Sequence, residues 1–352
     1  MRRVSAEWRR HWRGLSGALG VALALGVTTA GSAQVDETGF QGFLQQLRAR
    51  AIAQGVTAAT LDAVLPSLTF NPRVIELDRA QPGADPNKPP PMFQPYRAAH
   101  VDAARINRGR QVYQEQRAHL LQIERETGVP EAIMVSIWGN ETAYGSVTGG
   151  FDLPRSLASL AYEGRRRDLF SDEFIAAMRM IDRGVPRERL VGSWAGATGN
   201  PQFLPSIYLR LARDGDGDGK IDIWNSPADT LASIASYFAN AGWRRGEPWG
   251  FAVSVPATLD RTAIGGRTTA PRCSRVFDRH SGWKSMAEWR ALGLAPISRG
   301  WPDDHIMATL IEPDGPGKAG YLATSNYRVI LDYNCSNFYA LSVGLLADAV
   351  AQ

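Results

Sequence analysis

The segment that decides the fold reads Pro130-Glu131-Ala132-Ile133-Met134-Val135-Ser136-Ile137-Trp138-Gly139-Asn140-Glu141. Met134, Ile137 and Trp138 follow the i, i+3, i+4 spacing of a buried helical stripe. Glu141 is the i+7 member of this stripe, so a carboxylate stands where the pattern calls for an apolar residue. Burial near the negative end of a helix dipole should raise the pKa of that carboxyl, as a general acid requires. We therefore predict that Glu141 is catalytic. The alternative is a helix-end glutamate that is solvated or paired with an arginine such as Arg165.

Residues 1–33 have the pattern of a secretory signal peptide. Five arginines precede an apolar stretch from Leu15 to Val27, and Gly31-Ser32-Ala33 places small residues at the expected cleavage site. The apolar stretch is too short and too rich in glycine for a membrane span, and no cysteine follows it that could carry a lipid anchor. We therefore expect an exported, periplasmic protein with no transmembrane helix in its mature chain.

Charge and cysteine content narrow the class of protein. The five arginines and one glutamate of residues 1–33 account for the whole formal charge of +4, so the rest of the chain is formally neutral. A neutral chain argues against a nucleic-acid-binding protein. Cys273 and Cys335 are the two cysteines of the chain. In an exported protein they are most simply one disulfide, and two free buried thiols are the alternative.

Periodicity predicts a mainly α chain with a small β-containing insertion. Residues 34–96 should hold a helical hairpin and a proline-rich strap, residues 97–250 the main helical core, and residues 251–320 a small subdomain. Residues 321–352 should supply a strand and a helix that complete the core. The predicted helices are Phe40–Gln54, Thr57–Leu68, Ala98–Thr127, Ser156–Tyr162, Asp172–Asp182, Asp229–Ala241, Trp283–Leu292 and Phe338–Ala351. Extended structure is predicted for the strap Gln81–Tyr96, for strands and turns in residues 251–272 and for a strand over Tyr327–Tyr333.

A segment of small residues follows the Glu141 helix at some distance along the chain and spans Gly192–Ser206. Its small residues allow close backbone approach, either to a neighbouring helix or to a ligand. Ser193 and Gln202 offer neutral hydrogen-bonding groups suited to sugar hydroxyls and acetamides, and Phe203 offers an apolar face for a sugar ring. The alternative is a glycine-rich turn before a helix.

An acidic loop reads Asp214-Gly215-Asp216-Gly217-Asp218-Gly219-Lys220-Ile221-Asp222-Ile223-Trp224-Asn225. It has carboxylates at positions one, three, five and nine, glycine at six and the backbone carbonyl of Lys220 at seven. This pattern matches a calcium-binding loop, and a solvated acidic turn is the alternative. Position twelve is Asn225 rather than the usual bidentate glutamate, so either affinity is reduced or the last ligand comes from elsewhere.

Two of these motifs together resemble the signature of lytic murein transglycosylases, and most closely the membrane-bound lytic murein transglycosylase B group. They are Glu141-Thr-Ala-Tyr-Gly145 and Gly196-Ala-Thr-Gly-Asn-Pro-Gln-Phe-Leu-Pro-Ser206. The similarity runs from Asp78-Arg-Ala-Gln-Pro82 to Tyr333-Asn334 and the last helix. It implies a lysozyme-like helical catalytic core with an N-terminal helical extension. The chain departs from the family pattern at Asn200-Pro201, and Cys335 is not an expected feature.

The resemblance also implies roles for individual residues. Glu141 matches the single catalytic acid. Asp229 becomes a candidate calcium ligand, although Ser226-Pro227-Ala228-Asp229 also has the pattern of a helix-capping box. The implied substrate-binding residues are Ser193, Gln202, Phe203, Arg165, Arg166, Tyr237, Asn334 and Tyr339. The calcium ligands predicted from the loop and the resemblance are Asp214, Asp216, Asp218, Lys220, Asp222 and Asp229.

The activity implied by the resemblance is cleavage of the β-1,4 bond between N-acetylmuramic acid and N-acetylglucosamine in peptidoglycan, with formation of 1,6-anhydro ends. Calcium would be a structural cofactor. Peptidoglycan strands would be the main partner, and cell-wall synthesis proteins are further candidates. One alternative is a lysozyme-type hydrolase with Asp152 or Glu163 as its second carboxylate. Another is a noncatalytic, calcium-dependent glycan-binding module.

Overall fold

The computed structural model describes residues 37–81, 91–266 and 273–352. The predicted signal peptide and most of the predicted strap lie outside these ranges. The helices are α1 Glu37–Ala53, α2 Ala58–Val64, α3 Pro72–Arg79, α4 Phe93–His100, α5 Ala103–Glu115, α6 Arg117–Thr127, α7 Glu131–Thr142, α8 Leu153–Glu163, α9 Arg167–Asp182, α10 Pro205–Leu211, α11 Pro227–Asn240, α12 Met286–Ala291, α13 Ser325–Tyr333 and α14 Asn337–Val350. The strands are β1 Phe151–Asp152, β2 Val191–Gly192, β3 Gly250–Ser254, β4 Lys284–Ser285, β5 Ala295–Pro296, β6 Met307–Ile311 and β7 Gly320–Thr324.

Helix α7 lies at the centre of the helical core, where it packs against α5, α11 and α14. Met134, Ile137 and Trp138 are buried as the spacing predicts. The opposite side of α7 is also buried, including Val135 and Ser136, and Ser136 Oγ donates to Val343 O of α14 at 2.6 Å. A helix that is buried on all sides is typical of the interior of a domain.

The small β part is an antiparallel sheet with the strand order β4-β6-β7-β3-β5. It covers a second apolar core that includes Phe251, Trp289, Leu310 and Leu322. The chain is thus mainly α with a small β part, and the predicted fold class is confirmed. Among the described residues, the helices lack the combination of length and hydrophobicity that a bilayer-spanning helix needs.

The predicted helix Ala98–Thr127 is wrong in extent, because three helices cover this stretch. The chain leaves helical geometry at Val101, and Asp102 then caps α5 by accepting from Arg105 N at 2.9 Å. A short acidic side chain satisfies exposed backbone N–H groups at a helix start, so it favours a new helix over continuation of the old one. A second break at Gln116 separates α5 from α6.

Two stretches predicted as extended are helical. Phe93–Tyr96, the end of the predicted strap, belongs to α4. Pro95 lies in the first turn of α4, where a missing N–H costs no helical hydrogen bond. The predicted strand Tyr327–Tyr333 is instead part of α13, and the strand at this place is β7, which ends at Thr324. The β-branched and aromatic residues of α13 suggested a strand, but their burial against the helical core outweighs that propensity.

The structure joins Cys273 to Cys335 in a disulfide with a Cα–Cα distance of 5.3 Å. Cys273 directly precedes a 3-10 helix, Ser274–Arg279, and Cys335 lies in the corner between α13 and α14. The bridge therefore ties the small subdomain to the helical core.

His280 lies at the same junction and predicts a loss of stability in acid. Its ring is buried, with Nδ1 at 2.8 Å from Thr309 Oγ1 and Nε2 at 2.9 Å from Asn337 Oδ1. Burial lowers the pKa of His280 to about 4, whereas an unfolded chain protonates histidine near its ordinary pKa of about 6.5. The unfolded state therefore binds a proton that the folded state does not, and the free energy of unfolding falls as the pH drops from about 6.5 to about 4.

Denaturant unfolding at pH 7 and pH 4.5 tests this expectation with His280→Gln as the control. The glutamine can donate to Asn337 Oδ1 but does not titrate. We expect the wild-type protein to lose roughly 2 kcal/mol more than the variant between the two pH values. Equal losses in both proteins would show that His280 does not contribute to the acid sensitivity.

Candidate active site

Glu141 lies in the last turn of α7, and its side chain is partly buried. Tyr339 of α14 donates from Oη to Glu141 Oε1 at 2.5 Å. Burial raises the pKa of Glu141 to about 7, although the hydrogen bond from Tyr339 opposes that rise. Arg165, the ion-pair partner considered in the alternative, pairs with Asp78 instead. Glu141 is thus poised to hold or release a proton near neutral pH.

Three tyrosines interact electrostatically with the carboxylate of Glu141. Burial, followed by the Glu141 charge, raises the pKa of Tyr96 to about 12 and the pKa values of Tyr333 and Tyr339 well above their usual range. All three phenols are therefore neutral near pH 7. Tyr96 and Tyr333 are site residues that the sequence analysis missed. The position of Tyr333, directly before the predicted cleft residue Asn334, could have indicated it.

The backbone after Glu141 is strained and held in place. Ala143 and Tyr144 have φ values of 47° and 58°, in the left-handed region that non-glycine residues seldom adopt. Tyr144 Oη donates to Arg105 O at 3.0 Å and so fastens this turn to α5. Strain of this kind persists only where surrounding contacts fix the conformation, and it concentrates at functional sites.

The segment Gly192–Ser206 forms a tight fold beside the Glu141 turn. Isolated bridges pair Thr198 with both Gly192 and Phe203, and Ser193 Oγ accepts from Ala197 N at 3.0 Å. A Cβ atom on Gly192 would lie 1.9 Å from Ala197 O. The small residues therefore allow close approach of the segment to its own backbone, a third possibility beside the helix or the ligand that the sequence suggested.

Gln202 links this segment to the turn that follows Glu141. Its backbone has φ 50°. Its Nε2 lies 3.2 Å from Thr148 O and 3.0 Å from Gly199 O, and it donates to both carbonyls. Gln202 thus positions the loop after the acid, whether or not its amide also contacts a ligand.

The predicted cleft aromatics form a buried cluster rather than an open surface. Phe203 is 2% exposed, and its ring centroid lies 6.0 Å from Tyr237 and 6.2 Å from Tyr333. Tyr237 is also buried and donates from Oη to Asp332 O at 2.8 Å. Asn334 ends α13, and its Oδ1 is buried without a hydrogen-bond partner in the described structure. Direct contact between these residues and a substrate stays a prediction.

Arg165 and Arg166 both form ion pairs with Asp78 of α3. Asp78 is 2% exposed, and Arg165 Nε reaches it at 2.9 Å. Two guanidinium groups offset the cost of burying one carboxylate and fasten the N-terminal extension to the core. Their predicted role in substrate binding is not tested by this arrangement.

The two carboxylates considered for a hydrolase are engaged elsewhere. Asp152 accepts from Arg155 N at 2.9 Å as the cap of α8 and pairs with Arg187 at 2.5 Å. Glu163 pairs with Arg79 at 3.1 Å. Each therefore has a structural use that explains its presence.

The acidic loop brings together three of the six predicted calcium ligands. Oxygens of Asp214, Asp216 and Asp229 lie within 4.8 Å of one another. Asp229 is 1% exposed and accepts from Gly215 N at 2.8 Å. Three carboxylates, one of them buried, are the donor type that calcium prefers.

Asp218 and Asp222 lie outside this group, and ligation by the backbone carbonyl of Lys220 stays a prediction. Asp218 accepts from Lys220 N at 2.8 Å, and Asp222 accepts from Asn225 N at 2.9 Å. One half of the capping box is formed, because the N–H of Asp229 donates to Ser226 Oγ at 3.2 Å. The carboxylate of Asp229 accepts from Gly215 N and Asp222 N and so does not complete the box.

Comparisons with known proteins agree with this geometry. Residues 39–348 match the family described as a transglycosylase SLT domain. Membrane-bound lytic murein transglycosylase B of Escherichia coli K12 is 34% identical over 227 residues, which cover 64% of this chain and 58% of that protein. The match therefore spans somewhat more than half the length of this relative.

Two solved structures extend the comparison. SltB3 from Pseudomonas aeruginosa, in complex with NAG-anhNAM-pentapeptide, is 36% identical with a TM-score of 0.78 over 89% of this chain and 79% of that one. The Escherichia coli lytic transglycosylase Slt35, in complex with calcium, is 28% identical with a TM-score of 0.70 over 91% and 95% of the two chains. With its helical core and this match over residues 39–348, the chain belongs to the transglycosylase SLT family.

Proposed function

We propose that this protein is a lytic transglycosylase of peptidoglycan, with Glu141 as its single catalytic acid and base. The observation that carries the proposal is the Glu141–Tyr339 pair. A partly buried carboxyl with a pKa of about 7 exists in both protonation states near neutrality. One group that must first donate and then accept a proton needs that balance.

The proposed reaction begins with proton transfer from Glu141 to the glycosidic oxygen, which breaks its bond to C1 of N-acetylmuramic acid. The sugar passes through an oxocarbenium-like state. The carboxylate of Glu141 then takes the proton from the C6 hydroxyl of the same sugar as O6 bonds to C1. Glu141 ends the cycle protonated, and no water is consumed. The ion-paired state of Asp152 and Glu163 supports a mechanism without a second carboxylate.

The proposed substrate is a glycan strand that carries stem peptides. The P. aeruginosa relative was solved with a NAG-anhNAM-pentapeptide, a compound with the anhydro end that this mechanism would form. On this proposal Ser193, Gln202 and Asn334 contribute neutral hydrogen bonds to the sugars. We further propose export through a cleavable signal peptide to the periplasm, where the glycan and candidate cell-wall synthesis partners would meet the enzyme.

Analysis of the released products tests the proposed reaction. Purified sacculi are digested, and the masses of the muropeptides are measured by mass spectrometry before and after borohydride treatment. We expect ends that are lighter by one water than hydrolytic ends and that resist reduction. Mainly reducible N-acetylmuramic acid ends would instead establish a lysozyme-type hydrolase, and binding without product would indicate a glycan-binding module.

We also propose that the acidic loop holds structural calcium through Asp214, Asp216 and Asp229. Slt35, a relative with a similar fold, was solved with calcium. The loop connects α10 to α11, and Asp229 also accepts from Asp222 N at 2.6 Å. Bound calcium would neutralise the clustered carboxylates and brace this connection behind the Gln202 segment.

Thermal unfolding with increasing calcium tests this site. A ligand that binds only the folded state raises stability by about 2.7 kcal/mol at a hundred times its Kd. Asp216→Ala should abolish the gain. Asp218→Ala, which removes an acid of the same loop from outside the grouped carboxylates, should retain most of it. A melting temperature that changes with neither calcium nor chelator would show that the loop is only a turn.

A further inference from the structure

The first turn of α14 is held by the segment that begins at Cys273. Cys335, at the corner before α14, forms the disulfide with Cys273. Within the same turn, Asn337 Nδ2 donates to Val276 O at 3.0 Å, and Asn337 Oδ1 lies 2.9 Å from Nε2 of His280. One covalent link and two hydrogen bonds therefore fix the start of this helix.

The first turn of α14 also carries Tyr339, which contacts the carboxyl of Glu141. Ser336, adjacent to Cys335, caps α14 because its Oγ accepts from Tyr339 N at 3.3 Å. The N–H of Ser336 donates to Asn334 O at 2.7 Å, which sets the angle of the corner. Tyr339 then donates to Glu141 Oε1 at 2.5 Å. The tyrosine that contacts the acid thus lies four positions after Cys335 of the disulfide.

We propose that the Cys273–Cys335 disulfide is a positioning element for the reaction: it fixes the corner between α13 and α14 so that Tyr339 stays hydrogen-bonded to Glu141. The inference rests on the proposed function, because it takes Glu141 as the acid. A bridge far from the site would stabilise the fold by restricting the unfolded chain alone. A bridge one residue from the cap of the tyrosine-bearing helix adds a local effect on the acid itself.

The expected effect of the corner on the pKa of Glu141 has a defined direction. The hydrogen bond from Tyr339 lowers the pKa of Glu141 against the effect of burial. If the corner loosens and that bond weakens, the pKa of Glu141 rises further. Tyr96 of α4 and Tyr333 of α13 sense the same charge but stay neutral near pH 7. The guanidinium of Arg105 in α5 acts on Tyr96 in the opposite direction and lowers its pKa. Tyr339 is therefore the residue through which a change at the corner can alter the pKa of Glu141.

The test compares pH–rate profiles of the wild-type enzyme, Cys273→Ser/Cys335→Ser, Tyr339→Phe and the triple variant on soluble glycan fragments. We expect the disulfide-free enzyme to keep its KM, to lose about tenfold in kcat and to shift its basic limb upward by about half a pH unit or more. Tyr339→Phe should shift the limb in the same direction. The triple variant should shift no further than Tyr339→Phe alone, since both changes remove one interaction.

A variant destabilised elsewhere separates positioning from stability. Leu61→Ala leaves a cavity in α2, whose main α-helical neighbour is α9. At a matched loss of melting temperature, its basic limb should stay at the wild-type pH. If the double variant does not fold, wild-type enzyme is compared before and after reduction with a phosphine.

Each outcome decides between the two proposals. An unshifted limb without the disulfide, or shifts that add in the triple variant, would overturn the positioning role while leaving Glu141 as the acid. An active Glu141→Gln variant would instead overturn the proposed function.

Discussion

Glu141→Gln should lower kcat by about a thousandfold or more and leave the fold intact. Glutamine nearly matches glutamate in shape, and its carbonyl oxygen can still accept the hydrogen bond that Tyr339 donates to Glu141 Oε1. The amide can neither deliver a proton to the leaving oxygen nor remove one afterwards. General acid–base catalysis contributes about 10² to 10⁴ in rate, and here one residue would serve in both directions.

The measurement is the initial rate of muropeptide release from sacculi, together with thermal unfolding of each protein. Asp152→Asn and Glu163→Gln are matched controls, because each removes one carboxylate from an ion pair outside the proposed chemistry. Both should keep most of the activity. Turnover by Glu141→Gln within tenfold of wild type, at an unchanged melting temperature, would show that the carboxyl is not the acid.

Gly192→Ala should be among the most destabilising single-methyl additions in the chain. The added Cβ would lie 1.9 Å from Ala197 O and 3.0 Å from Thr198 Cα, and both are backbone atoms that no side-chain rotation can move. Overpacking typically costs about 1–3 kcal/mol and occasionally more. With a backbone obstacle at this distance, we expect about 3 kcal/mol or more, with loss of activity as the Ser193–Ala197 turn opens.

Denaturant unfolding provides the comparison, and Gly150→Ala is the matched control. Gly150 precedes β1, the partner strand of β2 that contains Gly192, and has open space at its Cβ position. Its substitution should change the unfolding midpoint little. Equal midpoints for the two variants would mean that the Gly192 backbone can relax. The close approach of Gly192 to Ala197 would then not be needed for stability.

The sequence predicts helix α7 well because residues that follow helical spacing in the sequence are also buried in the structure. Met134, Ile137 and Trp138 follow helical spacing, and the Glu141 position stands out against them even though the other sides of the helix are also buried. The stretch Tyr327–Tyr333 shows where such local reasoning fails. Its β-branched and aromatic residues suit a strand, but the strand hydrogen bonds are already made by β7, and the burial of Tyr327 and Ile330 in the helical core favours a helix.

The site is predictable only in part, because its geometry depends on residues distant in the chain. The resemblance indicated Tyr339, but local sequence cannot show that its hydroxyl contacts Glu141. It also cannot show that Arg165 and Arg166 meet at Asp78, since a basic pair looks alike whether it faces a ligand or a buried carboxylate. Among the loop acids, spacing alone indicates Asp218, whereas the oxygens that lie close together belong to Asp214, Asp216 and Asp229.

The hydrogen bond between Glu141 and Tyr339 joins residues that are 198 positions apart. Ribosomal synthesis therefore makes the acid long before it makes the phenol that adjusts its pKa. A growing or prematurely ended chain can form α7, but it has no α14 to pack against it and no partner for the carboxyl. We therefore expect weak lytic activity from incomplete chains, because the acid gains α14 and its tyrosine only when nearly the whole polypeptide has been made.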